Sequence, residues 1–267
     1  MAILTISRQF GSRGREVGEG VATALEYEYV GKHKFLSDLK RLGDQWERWG
    51  EDLDEHAPSV WEKYDWSFAA YGALIQSILL DHALADRAIL MERGGNVLLK
   101  GIPHAYRIRV VAPFEERVKN IVRDEFIDAE TARWLAKRTD HERSGFIYSL
   151  FGIHWDDPEE YDQVFDTGEQ SIESVIARVT EVLLARNELD TPESRKILEM
   201  RALAAKVKAG LVMDPKLFTP TLDVEFDGKE LVLRGIVHSA KEHKRLEEAA
   251  RKLAGDRSLR CELGLRG

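Results

Sequence analysis

Ile3-Leu4-Thr5-Ile6-Ser7-Arg8-Gln9-Phe10-Gly11-Ser12-Arg13-Gly14-Arg15-Glu16-Val17-Gly18 is a short β-type run that passes through a turn of Gly, Arg and Ser into a helical pattern set by Val17, Val21, Ala24 and Leu25. A strand, a glycine loop and a helix N-terminus in that order form a phosphate cradle. Loop amides point inward, the helix dipole favours an anion, and glycine lets the backbone approach closely. The residues that would bind phosphate are Gly11, Ser12, Arg13, Gly14, Arg15 and Glu16. The segment departs from the Gly-x-x-x-x-Gly-Lys-Ser/Thr pattern of a P-loop. With Arg15 at the lysine position, Gly14 matches the second glycine, Gln9 stands where the first belongs, and Val17 lies in the hydroxyl region. Arg15 meets phosphate as a planar fork rather than a point charge, and Val17 offers no oxygen to Mg²⁺. Taken alone, the segment fits both a variant phosphate loop and an ordinary strand-turn-helix corner with solvent-facing arginines.

The chain is 267 residues long, enough for one large domain or for a body with a small companion. Its apolar and charged fractions, 43% and 32%, describe a soluble globular protein. No apolar run approaches the roughly 20 residues needed to span a bilayer, and no secretory leader pattern opens the chain. The single cysteine, Cys261, excludes an intrachain disulfide and argues for a cytoplasmic setting. No Cys/His cluster suggests a zinc site, so no metal-ligating residue is assigned. Residues 1–190 hold 23 Lys/Arg against 35 Asp/Glu, a balance of −12, which disfavours nucleic acid as a partner. Residues 191–267 hold 16 against 12, or +4, a hint of an anionic surface as partner.

Strand patterns at 2–7, 88–91, 107–112 and 163–167 alternate with helical patterns at 14–26, 114–117 onward, 129–138 and 171–186. That rhythm implies crossover connections and a mostly parallel sheet, whose ligands gather at the carboxyl ends of the strands. A helical, acidic and tryptophan-rich stretch occupies 33–86, with Trp46, Trp49, Trp61 and Trp66, which suit packing better than base stacking. After a boundary at 187–192 the rhythm changes. A helix over Glu193–Gly210 precedes a strand at 222–226, an Asp227-Gly228 turn, a strand at 230–235, a helix capped by Ser239 and a last strand at 260–263.

With those elements placed, the first 185 residues resemble the cytidylate-kinase-like family of nucleoside monophosphate kinases. The likeness rests on Ile6–Gly18, on Glu92-Arg93-Gly94-Gly95-Asn96-Val97-Leu98-Leu99, on Val110–Val118, on Lys137-Arg138-Thr139-Asp140-His141-Glu142-Arg143, and on Trp155–Thr167. The resemblance implies an α/β, three-layer P-loop kinase fold over residues 1–188, with 33–86 as an acceptor-binding helical insert and 133–155 as the lid region. It implies phosphoryl transfer from ATP, with Mg²⁺, to a nucleoside monophosphate, CMP-like first. In that scheme Arg15, Arg138 and Arg143 serve catalysis and Arg93 holds the acceptor phosphate, while Glu16 or Asp140 helps to hold the metal. Arg117 and Arg123 are weaker candidates, read as pairing with neighbouring acids. The alternative is a catalytically degenerate nucleotide-binding sensor or adaptor that signals through its tail, because the chain carries Arg93-Gly94 where cytidylate kinases have Arg-Asp.

Residues 193–267 resemble a BON (transport-associated) domain, a small α-β-β-α-β unit, through the leading helix and Val224–Val237. The resemblance implies a phospholipid surface or a protein as partner. A unit that only packs against the body, or dimerises it, remains the other reading.

Overall fold

The computed structural model describes residues 1–53, 57–59, 62, 65–91 and 94–266. Two compact units emerge: Met1–Pro58 with Ala85–Ser194, and Ser59–Leu84 with Arg195–Gly267.

The first unit is built on a five-stranded parallel sheet. Its strands are β1 (Ile3–Arg8), β2 (Glu28–Val30), β3 (Ala88–Leu90), β4 (Ala105–Val111) and β5 (Gln163–Asp166), in the order β2-β3-β1-β4-β5. Every pairing is parallel; Thr5 lies opposite Leu90 on one side of β1 and Arg107 on the other. The α/β reading holds, with β2 as an additional strand. Three residues beginning with an exposed Glu28 give too short an apolar run to register as a strand.

Helices α1 (Gly14–Leu25), α2 (Lys32–Leu42) and α3 (Asp44–Leu53) follow β1 and β2. Apolar residues of β1, β3 and β4 pack with Val17 and Val21 of α1 and with Val175, Val179 and Leu183 further along the chain, all fully buried. That last helix starts at Ile172 because the Ser171 hydroxyl accepts the Ser174 amide. Trp46 is buried in α3 and meets Trp49 edge-to-face at 4.9 Å, a packing role; Trp61 lies outside the described residues.

In chain order the remaining helices are α4 (Trp66–Leu84), α5 (Gly95–Leu98), α6 (Phe114–Glu125), α7 (Ala129–Phe151), α8 (Ile172–Arg186), α9 (Pro192–Val212) and α10 (Ala240–Ala254). The sequence pattern places a helix over 129–138, but α7 continues thirteen residues further, through the whole Lys137–Arg143 stretch. Asp128 caps it by accepting the Thr131 hydroxyl together with the Thr131 and Glu130 amides, which holds the Asp128 carboxyl below its usual range. No proline interrupts it, and Gly152 with φ +69° ends it. Most of the 133–155 stretch read as a lid therefore lies within one long helix.

The second unit contains α4, most of α9, and the strands β6 (Asp223–Phe226), β7 (Leu231–Val237) and β8 (Leu259–Leu265), with α10 between the last two. Its sheet order is β6-β7-β8, antiparallel for the first pair and parallel for the second. The α-β-β-α-β succession is as the sequence implies. The addition is α4, from the stretch assigned to the helical insert. It is apolar on nearly every face, and its Trp66 indole donates to the Val212 carbonyl at 2.6 Å. Among the described residues no helix is long and apolar enough to cross a membrane.

Candidate functional site

Parallel pairing with β4 holds Arg8 opposite Val110, and the Gln9 amide continues the ladder by donating to the Val110 carbonyl. The backbone then turns sharply, with φ +78° at Gly11 and +61° at Arg13, and α1 begins at Gly14. Left-handed residues in such a loop make the concave amide arrangement that anions occupy. Gly11 is required twice over: its φ is positive, and a Cβ there would stand 2.7 Å from the Arg117 carbonyl oxygen. Ser12 is wholly buried and closes the turn, its amide and hydroxyl both donating to the Gln9 carbonyl. Its side chain is thereby engaged within the loop. No side chain caps α1, so the first-turn amides of Gly14, Arg15 and Glu16 are left for an external acceptor.

This loop borders a cleft of about 460 Å³ at the carboxyl edge of the sheet. Five cationic side chains line it: Arg8, Arg13, Arg15, Lys32 and Arg143. Glu16, Asp124 and Glu125 are the acidic ones. Arg15 is exposed and makes no hydrogen bond or ion pair among the described residues. Arg13 is held by Glu16, its Nε donating to Oε1 at 2.7 Å and its Nη2 to the other oxygen, which raises the guanidinium above its ordinary value. Val17 is fully buried in the core. The residue directly after Arg15, where a P-loop carries its hydroxyl, is Glu16, so the position read as aliphatic is acidic.

Behind the loop, α6 and α7 supply a buried ion pair. Asp140 Oδ1 accepts the Phe10 amide at 2.8 Å, and Oδ2 accepts from Arg117. Arg117 also donates to the Phe10 carbonyl at 3.1 Å. Asp140 is therefore engaged with the loop and with Arg117, and Arg117 anchors the loop through Asp140 and Phe10 rather than pairing with Glu115 or Glu116. Arg143, also from α7 and buried, donates to the Arg8 carbonyl at 2.9 Å and lies over the Phe10 ring. Arg138 is exposed, pairs with Glu142 at 2.8 Å and lies over Trp134, outside the cleft lining. Of the three arginines assigned to catalysis, the fold brings Arg15 and Arg143 to one cleft and leaves Arg138 apart. Arg93 lies outside the described residues.

Arg8 and Arg143 also wall a second cavity, of about 20 Å³, with Asn96, Ser7 and Trp155. Asn96 is 2% exposed and its Nδ2 has no hydrogen-bond partner among the described residues, a donor directed into a polar cavity. It sits in α5, entered through Gly94 at φ +89°. The Trp155 indole donates to the Ser7 hydroxyl at 2.7 Å, and the Tyr161 hydroxyl to the Trp155 carbonyl at 2.9 Å. Burial pushes the Tyr161 phenol up. Arg109 donates to the Trp155 carbonyl and to Asp156, and Arg107 to Asp162 at 2.7 Å, fastening the segment before β5 to β4. Lys32 and Asn96 are the site residues that sequence reasoning missed. Asn96 stands in a quoted motif, but only burial marks it; Lys32 is distant in the chain and carries no motif.

The model of the cytidylate kinase-like family matches residues 3–169, well over half the chain, and with it the loop, the cleft and the α6–α7 pair. The chain belongs to the cytidylate kinase-like family. The BON domain model matches residues 201–266. No curated protein matches the sequence. Among solved structures, the crystal structure of an uncharacterized protein from Eubacterium ventriosum ATCC 27560 aligns with a TM-score of 0.55 at 16% identity, covering 69% of this chain and 99% of its own. The crystal structure of TT1252 from Thermus thermophilus aligns at 0.39 and 14%, covering 69% and 96%. The first supports the fold that the sheet order describes, a parallel α/β body. Membership of this family suggests a nucleotide-binding or kinase-like function.

Proposed function

We propose that this protein binds ATP with its phosphates on the N-terminus of α1 and transfers the terminal phosphoryl group to a small phosphate acceptor, a CMP-like nucleotide first. The observation that carries the reading is the juxtaposition in one cleft of an uncapped helix start with the guanidinium groups of Arg13, Arg15 and Arg143. Phosphoryl transfer asks a protein chiefly for positioning and charge neutralisation, which amides and arginines supply. Arg15, with no protein partner among the described residues, is suited to a polyphosphate. Arg143, fixed by the Arg8 carbonyl where the two cavities meet, is suited to the group in transfer. Asn96 and the small cavity favour the acceptor side. Mg²⁺ takes hard oxygen ligands, and Glu16 and Asp124 on the cleft wall offer them once released from Arg13 and Arg123, with which they pair; the ion would offset phosphate charge. A chain with one cysteine suits the reducing cytoplasm.

One observation favours a second reading, a nucleotide sensor. Arg138 is tied to Glu142 away from the cleft, and Arg13 is tied to Glu16, so two cations of the set are already neutralised. Purified protein assayed for transfer of labelled phosphate from ATP to each common nucleoside monophosphate decides between them. Turnover with an acceptor supports the kinase reading, and loss of that turnover in Arg15→Ala assigns it to this cleft. Tight ATP binding without turnover for any acceptor supports the sensor. No ATP binding at millimolar concentration overturns both.

A further inference from the structure

In the second unit, strand alternation sorts the side chains of β8. Arg260 and Glu262 lie on one face, where Arg260 pairs with Asp227 and Glu262 with Arg234. Cys261, between them, points to the opposite face, against which α10 packs. On α10, His243 and Glu247 are one turn apart and therefore on the same side of the helix. The fold thus brings an imidazole nitrogen, a carboxylate oxygen and a thiol sulfur to within 4.8 Å of one another, all from half-buried residues. His243 Nδ1 is 3.7 Å from Glu247 Oε2. Tetrahedral coordination at zinc bond lengths separates neighbouring ligand atoms by about 3.4–3.7 Å. One pair already stands at that separation, and the sulfur needs to close by about an ångström, within the range of a side-chain rotation.

The carboxylate is also held. Its Oε1 accepts from Arg251 Nη2 at 2.8 Å and Nε at 3.1 Å, while Arg251 Nη1 donates to the Leu259 carbonyl. Oε2 is left facing the imidazole. An outer partner that orients a ligating group in this way is a regular part of metal sites. We infer that His243, Glu247 and Cys261 form a binding site for a borderline-soft divalent cation of the zinc class, with a fourth position left to water. Thiolate and imidazole select against Mg²⁺ and Ca²⁺, which prefer oxygen donors alone. On binding, the Cys261 thiol gives its proton to solvent, because the thiolate is the ligand. The ion would clip α10 to β8, and the site is independent of the nucleotide cleft.

The experiment is a Co²⁺ titration of the intact, metal-stripped protein, followed by absorption and then by displacement with Zn²⁺. Cys261 is the sole cysteine, so a thiolate-to-cobalt charge-transfer band reports this site alone. The expected result is such a band saturating at one equivalent per chain, displaced by Zn²⁺, absent in Cys261→Ser, and requiring at least about tenfold more Co²⁺ in His243→Ala. No charge-transfer band in the wild-type protein overturns the proposal, as does a band that persists in Cys261→Ser or a His243→Ala titration that matches wild type. Should a variant fail to fold, the unaltered protein decides through alkylation. Zn²⁺ slows modification of Cys261 by iodoacetamide if the site is real and leaves the rate unchanged if it is not.

Discussion

Asp140→Ala removes the carboxylate that stands behind the phosphate loop, and its cost follows from what that carboxylate holds. It accepts the Phe10 amide and pairs with Arg117 Nη1; the Arg117 side chain is 8% exposed and its Nε has no hydrogen-bond partner among the described residues. Taking away one member of a buried ion pair leaves the other charge uncompensated, at a cost of about 3–5 kcal/mol. Asp140 is itself 18% exposed, so water reaches part of the site and the lower end of that range applies. At about 2–4 °C per kcal/mol for a domain of this size, the transition of the first unit falls by about 6–12 °C. Scanning calorimetry of the intact chain measures it, with hydrogen exchange at the Phe10 amide as the local readout. A control separates charge from packing. Arg117→Met with Asp140→Leu replaces the pair by apolar groups of similar volume and recovers the part of the loss due to the uncompensated charge, while the Phe10 amide still lacks its acceptor. A fall of less than about 2 °C in Asp140→Ala, or a double variant no more stable than the single, refutes the assignment of Asp140 and Arg117 as the loop's anchor.

Arg15→Ala deletes a guanidinium with no protein partner among the described residues, so it weakens ATP binding about 10- to 100-fold by calorimetric titration while moving Tm by no more than about 1 °C. Gly11→Ala, in contrast, places a Cβ against the Arg117 carbonyl at a positive φ, and it lowers Tm and nucleotide affinity together. Burial pushes the Tyr106 phenol up to about 12; a group whose folded value is raised keeps its contribution below its unfolded value, near 10, and loses it between pH 10 and 12. Denaturation midpoints of wild type therefore fall across that window, and Tyr106→Phe shows a smaller fall. Ending the chain after Asp190 strips α4 of the residues that complete its unit, so the truncated protein exposes Leu74, Ile75 and Ile78, binds a hydrophobic dye and aggregates, whereas a monodisperse, dye-negative fragment refutes that view of α4.

The parallel body was legible because its strands are runs of Ile, Leu and Val bounded by turn residues, and its helices carry side-chain caps at Asp128 and Ser171. The loop was legible for the same local reason: Gly11, Gly14 and three arginines lie within eight residues. What sequence reasoning could not supply was long-range pairing. Arg117, Asp140 and Phe10 come from three elements, and charge spacing alone pairs Arg117 with Glu115 and Glu116 before Asp140. Cys261 is eighteen residues from His243 and matches no zinc spacing, so only the packing of α10 on β8 brings the two together. Helix α4 is the deepest case. Being apolar on nearly every face, it is largely buried, but that composition does not say with what. The family match covers α4, yet α4 packs in one unit with the tail, tied through Trp66 to Val212. A module boundary drawn from sequence likeness and a folding boundary drawn from buried apolar surface are different quantities here. The second decides what is stable on its own, because a helix apolar on every face needs neighbours all round it and takes them from wherever in the chain they come.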